Sequence, residues 1–202
     1  MRPMLLAAGL AVAGAVGPAA AQQATNQPAG NFRLTDATGK AVTLNQFRGR
    51  PVVLEWNNPD CPYVQKHYDS GNMQRTQAAA KRQGAVWLTV NSSAPGKQGH
   101  LTGEGARAFV GRVKAQPTAY LLDPEGRVGR GYAAKTTPHL YLIDARGVLR
   151  YQGGIDDKPT SDQADIAGAR NHVLAALGEI RAGKPVSVPE TRPYGCSVKY
   201  AG

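Results

Sequence analysis

The segment VVLEWNNPDCPYVQKHY, residues 52–68, changes from an apolar run to a polar stretch around Cys61. VVLEW has the length and composition of a buried strand, and the residues that follow Cys61 favour a helix. Pro62 suits the first position of that helix, because a proline there loses nothing by lacking an N–H group. The segment therefore predicts a strand and a helix with a cysteine at their junction.

The rest of the chain continues this alternation and predicts an α/β fold. Helices between strands require parallel crossovers, whereas a late hairpin requires an antiparallel edge, so we expect a central mixed β-sheet flanked by helices. The predicted elements are a hairpin in FRLTDATGKAVTL, one helix from Pro62 to Arg82 with its cap near Asp60, a strand AVWLTVN, a helix ARAFVGRVKA, a strand TAYLLD, a hairpin PHLYLID and VLRYQGG, and a helix over residues 161–183 capped by Ser161.

The chain divides into four segments. Residues 1–21 have the pattern of a secretory signal peptide, with Arg2 before an apolar run and small residues at a cleavage site. That run is shorter than the ~20 residues that span a bilayer, so we expect no stable membrane insertion after cleavage. Residues 22–31 resemble a flexible leader, residues 32–183 one globular domain, and residues 184–202 an extended C-terminal arm. We expect export across the inner membrane to the periplasm.

The net charge does not indicate a nucleic-acid partner. The chain has 24 Lys and Arg against 14 Asp and Glu, a formal charge of +10, but these residues are scattered and form no long basic run. A scattered positive charge specifies function weakly, and an exported protein rarely meets nucleic acid.

Cys61 is the leading candidate for a reactive residue. A thiol at the first turn of a helix faces unpaired backbone N–H groups and the positive end of the helix dipole, which favour the thiolate. Cys196, in the arm, is the only other cysteine. In an oxidising compartment an even number of cysteines tends to be paired, and two allow a single intramolecular pair.

A proline at the start of a predicted strand marks a second candidate element. Pro138 is a misfit inside a sheet, which indicates a bend or a cis bond. If the fold brings this loop beside Cys61, the backbone before Pro138 could hold an extended peptide or a disulfide.

These motifs resemble the thioredoxin superfamily, and more narrowly the exported redoxins grouped with alkyl hydroperoxide reductase and thiol-specific antioxidant proteins. The resemblance covers residues 32–183 and rests on VVLEW, Cys61-Pro62, TTPHLYLID and DARGVLRYQGG. It implies a thioredoxin-like fold, Thr137-Pro138 as the cis-proline element and Cys61 as the attacking thiol. It also implies a peroxide or a protein disulfide as substrate and an exported thiol as electron donor, with no cofactor.

The departures from that family concern the neighbours of Cys61. Val64 stands where dithiol thioredoxins have their second cysteine. Asn58 and Leu54 stand where a peroxiredoxin has Thr and Pro, although Asn58 could still offer a hydrogen bond to a peroxide. The arginine of the peroxidase pattern stays open among Arg127, Arg130 and Arg150.

With Val64 unable to resolve an oxidised Cys61, Cys196 is the intramolecular thiol available for that role. Two alternatives remain: a permanent Cys61–Cys196 disulfide in a non-catalytic binding domain, and a copper or zinc site of both cysteines and a histidine. We interpret His67 as a surface residue, His139 as half-exposed, and Asp156 and Asp157 as a solvated turn.

Overall fold

The fold is a seven-stranded sheet with helices on its faces. The computed structural model describes residues 23–202, and the predicted signal peptide lies outside the described residues. The strands are β1 (Arg33–Asp36), β2 (Ala41–Thr43), β3 (Val52–Trp56), β4 (Val86–Asn91), β5 (Ala119–Leu122), β6 (Thr136–Thr137), β7 (His139–Ile143), β8 (Leu149–Gly153) and β9 (Cys196–Ser197). The helices are α1 (Pro62–Asp69), α2 (Asn72–Arg82), α3 (Gly103–Arg112), α4 (Arg127–Gly131) and α5 (His172–Arg181), with 3-10 helices at Leu44–Phe47 and Gln163–Gly168.

The main sheet is mixed, as the sequence predicts. Its strand order is β2-β1-β5-β4-β3-β7-β8. Strands β3, β4 and β5 are parallel, while β7 and β8 on one side and β1 and β2 on the other are antiparallel to their neighbours. All five residues of β3 are buried, which fits a central strand covered on both faces. The strand that leads to Cys61 therefore lies in the middle of the molecule.

Two apolar clusters form the core, one on each face of the sheet. The first packs residues of α1, α2, α3 and α5 against the strands and includes Cys61, Met73 and Trp87. The second lies on the opposite face, where Trp56 packs against Tyr132 and Tyr141 at ring-centroid distances of 5.5 and 5.1 Å.

The predicted long helix after Cys61 is two helices. Gly71 separates α1 from α2 and has φ +73°, a left-handed conformation that glycine adopts without steric cost. The predicted cap is also corrected: the N-cap of α1 is Cys61 itself, and Asp60 precedes it.

The last predicted helix is shorter than expected. Residues 163–168 form a 3-10 helix, and α5 begins only at His172. The side chain of Asn171, rather than that of Ser161, caps α5 by accepting a hydrogen bond of 2.9 Å from the N–H of Leu174. The cap residue sets where the regular helix starts.

The segment predicted as a flexible leader is paired with the sheet in residues 23–31. The N–H of Asn26 donates to the carbonyl of Leu149 over 2.7 Å, and the N–H of Leu149 donates to the carbonyl of Gln27 over 2.9 Å. Ala29 is buried and donates to the carbonyl of Gly147. The prediction of a leader without order is wrong for these residues.

The C-terminal arm, residues 184–202, crosses the molecule and contacts it repeatedly. It first lies beside β8, where the N–H of Gln152 donates to the carbonyl of Pro189 over 3.0 Å. It then forms β9, which pairs with β6, and the N–H of Ala94 donates to the carbonyl of Lys199 over 2.8 Å. The arm therefore brings Cys196 to a fixed place in the fold.

Candidate active site

Cys61 lies where the sequence predicts, between the central strand and α1. Its carbonyl accepts hydrogen bonds from the N–H groups of Val64 and Gln65, both at 2.9 Å, so its backbone begins the helix. Pro62 is the first residue of α1. The Cys61 side chain has no exposed surface. Its sulfur is therefore held at the positive end of the helix, shielded from solvent.

The segment before Pro138 faces Cys61. The thiol of Cys61 donates to the carbonyl oxygen of Thr137 over 3.1 Å, although 76 positions separate the two residues. The Thr137-Pro138 peptide bond is cis, one of the two possibilities that the sequence indicates. Thr137 is buried and forms the short strand β6 with Thr136.

Cys196 lies against the same backbone. In the β6–β9 pair, Cys196 is the direct antiparallel partner of Thr137. The Thr137 hydroxyl also donates to the Cys196 carbonyl over 3.4 Å. Both cysteines are free thiols, Cys61 buried and Cys196 half-buried. The arm thus places the second cysteine beside the first without a covalent bond between them.

Burial and the neighbouring Cys61 both affect the acidity of Cys196. Burial raises the pKa of Cys196 to about 12, with a smaller contribution in the same direction from the neighbouring Cys61. Cys196 is therefore a neutral thiol near pH 7, and its nucleophilicity depends on the state of Cys61.

Gly195 lets the arm approach this closely. Its φ is +127°, and a Cβ atom added there would lie 2.1 Å from the carbonyl oxygen of Thr137. Any larger residue would push β9 away from β6 and so move Cys196.

Aromatic residues fix the arm on both sides of Cys196. Before it, the buried hydroxyl of Tyr194 donates to Asp156 Oδ1. After it, the hydroxyl of Tyr200 donates to the carbonyl of Ala134 over 2.9 Å, and the guanidinium of Arg130 lies 4.6 Å from the Tyr200 ring centroid. Cys196 is therefore held between two anchored positions.

Asn58 uses its side chain to shape the loop before Cys61. Its Oδ1 accepts from the N–H of Asp60 over 2.9 Å, and its Nδ2 donates to the carbonyl of Gln98 over 3.3 Å. Gly99 packs so closely that a Cβ atom there would lie 1.9 Å from Asn58 Oδ1. Both polar atoms of Asn58 thus have backbone partners, and its hydrogen bond to a peroxide stays a prediction.

The three candidate arginines have partners in the described structure. Arg150 Nε donates to Asp144 over 2.8 Å, and Arg130 Nη2 donates to the carbonyl of Ala201 over 2.6 Å. Arg127 forms an exposed ion pair with Glu125 at 2.7 Å. These contacts do not identify any of the three as a peroxide ligand.

Three residues interpreted as exposed or half-exposed are buried. His67 and Asp156 are 0% and 4% exposed, and His139 is 4% exposed. The C-terminal arm covers the side of α1 that carries His67, because the Tyr194 hydroxyl lies 3.2 Å from His67 Nε2. Asp157, by contrast, is exposed.

Sequence reasoning did not single out Glu55, a carboxylic acid in the middle of β3. Its two oxygens accept hydrogen bonds from Tyr68, Trp87, Thr89 and Asn57 at 2.8 to 3.1 Å. Burial raises its pKa, and the hydrogen bonds oppose that shift. The signal was present in the sequence, because VVLEW contains one ionisable residue inside an otherwise apolar buried strand.

Residues 23–202 contain no helix long and apolar enough to cross a membrane. They also contain no group of three or more His, Cys, Asp or Glu side chains placed to hold a metal ion. The alternative of a copper or zinc site therefore finds no ligand cluster in this part of the chain.

Comparisons with known proteins bear on the family and the fold. The model of the AhpC/TSA family matches residues 25–152. No curated protein matches the chain.

Solved structures share the fold. A hypothetical protein from Sinorhizobium meliloti 1021 is 24% identical, with a TM-score of 0.74 over 89% of this chain and 96% of its own. A protein provisionally described as a thiol:disulfide interchange protein DsbE from Chlorobium tepidum is 27% identical, with a TM-score of 0.54 over 65% of this chain and 85% of its own. The peroxidoxin BcpB from Mycobacterium tuberculosis is 17% identical, with a TM-score of 0.58 over 79% of this chain and 99% of its own. The predicted thioredoxin-like fold is confirmed.

Proposed function

Because the chain belongs to the AhpC/TSA family, we propose that it is an exported, periplasmic thiol oxidoreductase in which Cys61 is the nucleophile and Cys196 the resolving thiol. One observation carries the proposal: β9 pairs Cys196 directly with Thr137, whose carbonyl accepts the hydrogen bond of the Cys61 thiol. The substrate is a peroxide or the disulfide of another protein, and an exported thiol supplies the electrons.

The reaction has two steps at Cys61. With a peroxide, the Cys61 thiolate attacks one oxygen, the O–O bond breaks, and the other oxygen leaves as water or an alcohol after taking up a proton. Cys196 then attacks the sulfenic acid sulfur, which forms the Cys61–Cys196 bond and releases water. With a disulfide substrate, the first step gives a mixed disulfide and the second expels the substrate thiol. Two donor thiols then reduce the bond and are themselves joined in a disulfide.

Oxidation of Cys61 prepares Cys196 for its attack. The pKa of Cys196 is raised to about 12, mainly by burial and to a smaller extent by the negative charge of the Cys61 thiolate. A neutral sulfenic acid or a mixed disulfide at position 61 carries no such charge. Cys196 therefore loses its proton more readily after the first step than before it.

The remaining site residues position the two sulfurs. Pro62 starts the helix that presents Cys61, and Thr137 with Pro138 supplies the backbone that Cys61 and Cys196 share. Since Cys61 has no exposed surface, the arm must move aside for the oxidant to reach its sulfur.

The rival function is a binding domain with a permanent Cys61–Cys196 disulfide. The anchors at Tyr194 and Tyr200 favour it, because a covalent bond between two already fixed segments acts as a staple. Closing a loop of 135 residues would stabilise the fold by about 5 kcal/mol in the chain-entropy model. Such a bond would resist reduction by exported thiols, whereas a catalytic one would not.

The proposal is tested with the reduced mature protein and hydrogen peroxide near stoichiometry, with thiols trapped and the intact mass followed in time. Rapid loss of two hydrogens that maps to a Cys61–Cys196 bond supports it. Oxidation no faster than that of an ordinary free thiol would rule out a peroxidase. The same experiment with a disulfide oxidant then decides between a disulfide-exchange enzyme and a binding domain with a permanent disulfide.

Changing Cys196 to Ser separates the two steps. We expect the first oxidation of Cys61 to continue and steady-state turnover with a thiol donor to stop, because no second intramolecular thiol remains. Cys61→Ser is the matched control and should lose both. Unchanged turnover of Cys196→Ser would disprove the resolving role.

Export is tested separately by fractionating cells that express the full chain. A mature protein in the periplasmic fraction whose N-terminus lies near Gln22 would support it. A full-length chain that stays in the cytoplasm would contradict it.

A further inference from the structure

A buried polar cluster lies beneath the C-terminal arm, two residues before Cys196. It consists of Tyr194 on the arm, His67 on α1 and Asp156 after β8, which are 9%, 0% and 4% exposed. Thr191, the next anchored position upstream, donates its N–H to the carbonyl of Gln152. The cluster therefore holds the arm at the point where it approaches Cys61.

The hydrogen bonds of the cluster run in one direction. The single hydroxyl hydrogen of Tyr194 is donated to Asp156 Oδ1, so its oxygen accepts from His67 Nε2 at 3.2 Å. His67 Nδ1 is then the unprotonated nitrogen, which accepts from Asn72 Nδ2 over 2.8 Å. Burial lowers the pKa of His67 to about 4, which agrees with a neutral imidazole near pH 7.

The cluster ties the arm to the helix that carries Cys61. The Tyr194 ring packs edge to face with Tyr63 at 6.0 Å between centroids, and Lys66 Nζ lies 5.9 Å from the centre of the Tyr194 ring. Tyr63, Lys66 and His67 are all residues of α1. A shift of Tyr194 would therefore change the position of Cys196 relative to that helix.

The polar cluster stabilises the fold less than apolar side chains at the same positions would. Among the described residues, Asp156 Oδ2 is buried without a hydrogen-bond partner, and His67 Nε2 lies 4.0 Å from it. Burying a carboxylate with one unpaired oxygen is unfavourable, and an apolar side chain at the same place would avoid that penalty. Directional hydrogen bonds, unlike apolar contacts, fix a side chain in one orientation.

We propose that Tyr194, held by Asp156 and His67, is the positioning residue that sets Cys196 over Cys61 for resolution. This inference rests on the proposed function, in which Cys196 resolves an adduct at Cys61. An adduct on the buried Cys61 displaces the arm, and docking of Tyr194 into the cluster returns Cys196 to attacking distance. The cluster thus determines the effective concentration of Cys196.

The test starts from the full mature chain carrying glutathione on Cys61. In the closing step Cys196 attacks the Cys61 sulfur, the Cys61–Cys196 bond forms, and glutathione leaves as its thiolate. Mass spectrometry of quenched samples gives the rate of closure, which is the rate at which the Cys61–Cys196 bond forms. Equilibrium mixtures at a fixed glutathione concentration give the ratio of this closed form to the mixed disulfide with glutathione. That ratio measures the effective concentration of Cys196.

Tyr194→Phe keeps the ring and removes the hydroxyl. We expect closure to slow about tenfold and the closed-to-mixed ratio to fall by a similar factor. Tyr194 donates its hydrogen bond to the Asp156 carboxylate only when the arm is docked, so the variant destabilises the docked form alone. A tenfold change in that ratio corresponds to about 30 mV. Tyr132→Phe, which removes the hydroxyl that donates to the carbonyl of Gly30, is the matched control and should stay within twofold.

Asp156 supplies a second pair of variants. Asp156→Asn keeps an oxygen that accepts from Tyr194 and should retain most of the wild-type closure rate, whereas Asp156→Ala should lose it as Tyr194→Phe does. This pair gives the answer if Tyr194→Phe does not fold.

The inference is overturned if Tyr194→Phe closes as fast as the wild type, or if Tyr132→Phe slows closure equally. It is also overturned if Asp156→Asn and Asp156→Ala behave alike. These results would leave the proposed function intact. If the wild-type adduct never closes to a Cys61–Cys196 bond, the proposed function fails and the inference fails with it.

Discussion

Gly195 is the residue at which the arm tolerates a side chain least. Its backbone lies against the Thr137 carbonyl, in a conformation with φ +127° that other residues rarely adopt. Two separate penalties therefore meet at one position: backbone strain and overlap with a neighbouring strand.

We predict that Gly195→Ala destabilises the reduced protein by about 1 to 3 kcal/mol and detaches β9 from β6. The measurement is urea unfolding under reducing conditions. Gly183→Ala is the control, because Gly183 also has positive φ (+69°) while a Cβ there meets no described atom within 4 Å. Equal losses of unfolding free energy in the two variants would show that backbone strain at positive φ accounts for the whole effect. The overlap with the Thr137 carbonyl would then be relieved by a small shift of the chain.

At the residue scale, sequence reasoning succeeded where local chemistry decides. Cys61 at the start of a helix, Pro62 at its first position and the unusual Pro138 are each legible from their immediate neighbours. The sequence does not predict the burial of His67 and Asp156, because Tyr194 of the arm contacts them from 127 and 38 positions away. A local pattern contains no information about that contact.

Strand β7 follows the cis bond and buries a histidine. His139 Nδ1 accepts from the N–H of Lys135 over 3.3 Å and lies 3.2 Å from the Tyr141 hydroxyl. Burial, reinforced by the charge of Lys135, lowers the pKa of His139 to about 3. The folded strand thus excludes a proton that the unfolded chain accepts near pH 6.5.

We predict that this histidine makes the protein less stable in acid. Between its unfolded pKa near 6.5 and its folded pKa of about 3, the unfolded state binds the proton and the folded state does not, so stability falls as pH decreases. From pH 7 to pH 4 the wild type should lose roughly 3 kcal/mol more than His139→Asn, which keeps an acceptor. Urea unfolding at each pH measures both proteins, and parallel curves would contradict the prediction.

Element boundaries were the weakest part of the prediction. The order of strands and helices followed from hydrophobic runs, but the single helix from Pro62 to Arg82 failed at Gly71. The last helix failed for another reason: residues 163–168 lack buried side chains, so no packed face extends α5 backwards past Asn171. Periodicity identifies an element, whereas packing and caps decide where it ends.

At the scale of the whole molecule, the C-terminal arm lies against the candidate site through the pairing of β9 with β6. Residues 32–183 contain Cys61 and the Thr137 backbone, and the arm contains Cys196, which pairs with Thr137. The sheet and its mixed character were predictable, because strand and helix order restrict the topology strongly. The path of the arm was not, because an extended segment rich in proline has no periodicity from which to read its neighbours.

We predict that removing residues 194–202 exposes Cys61. N-ethylmaleimide should modify Cys61 of the truncated protein at least tenfold faster than Cys61 of full-length Cys196→Ser, as the arm no longer shields the sulfur. Both proteins have one thiol, so intact mass gives the rates directly. Circular dichroism establishes that the truncated protein is folded. Equal rates would mean that the arm does not limit access to Cys61.

The pairing of residues 23–31 and Glu190 with β8 has a consequence for solubility. The outer side of an edge strand offers unpaired N–H and C=O groups to any passing chain, and here both terminal segments occupy those groups on Leu149 and Gln152. The two segments also meet, because the Thr25 hydroxyl donates to Glu190 over 3.1 Å. The two terminal segments therefore block strand-to-strand aggregation at this edge. Deleting either segment would be expected to promote self-association through β8.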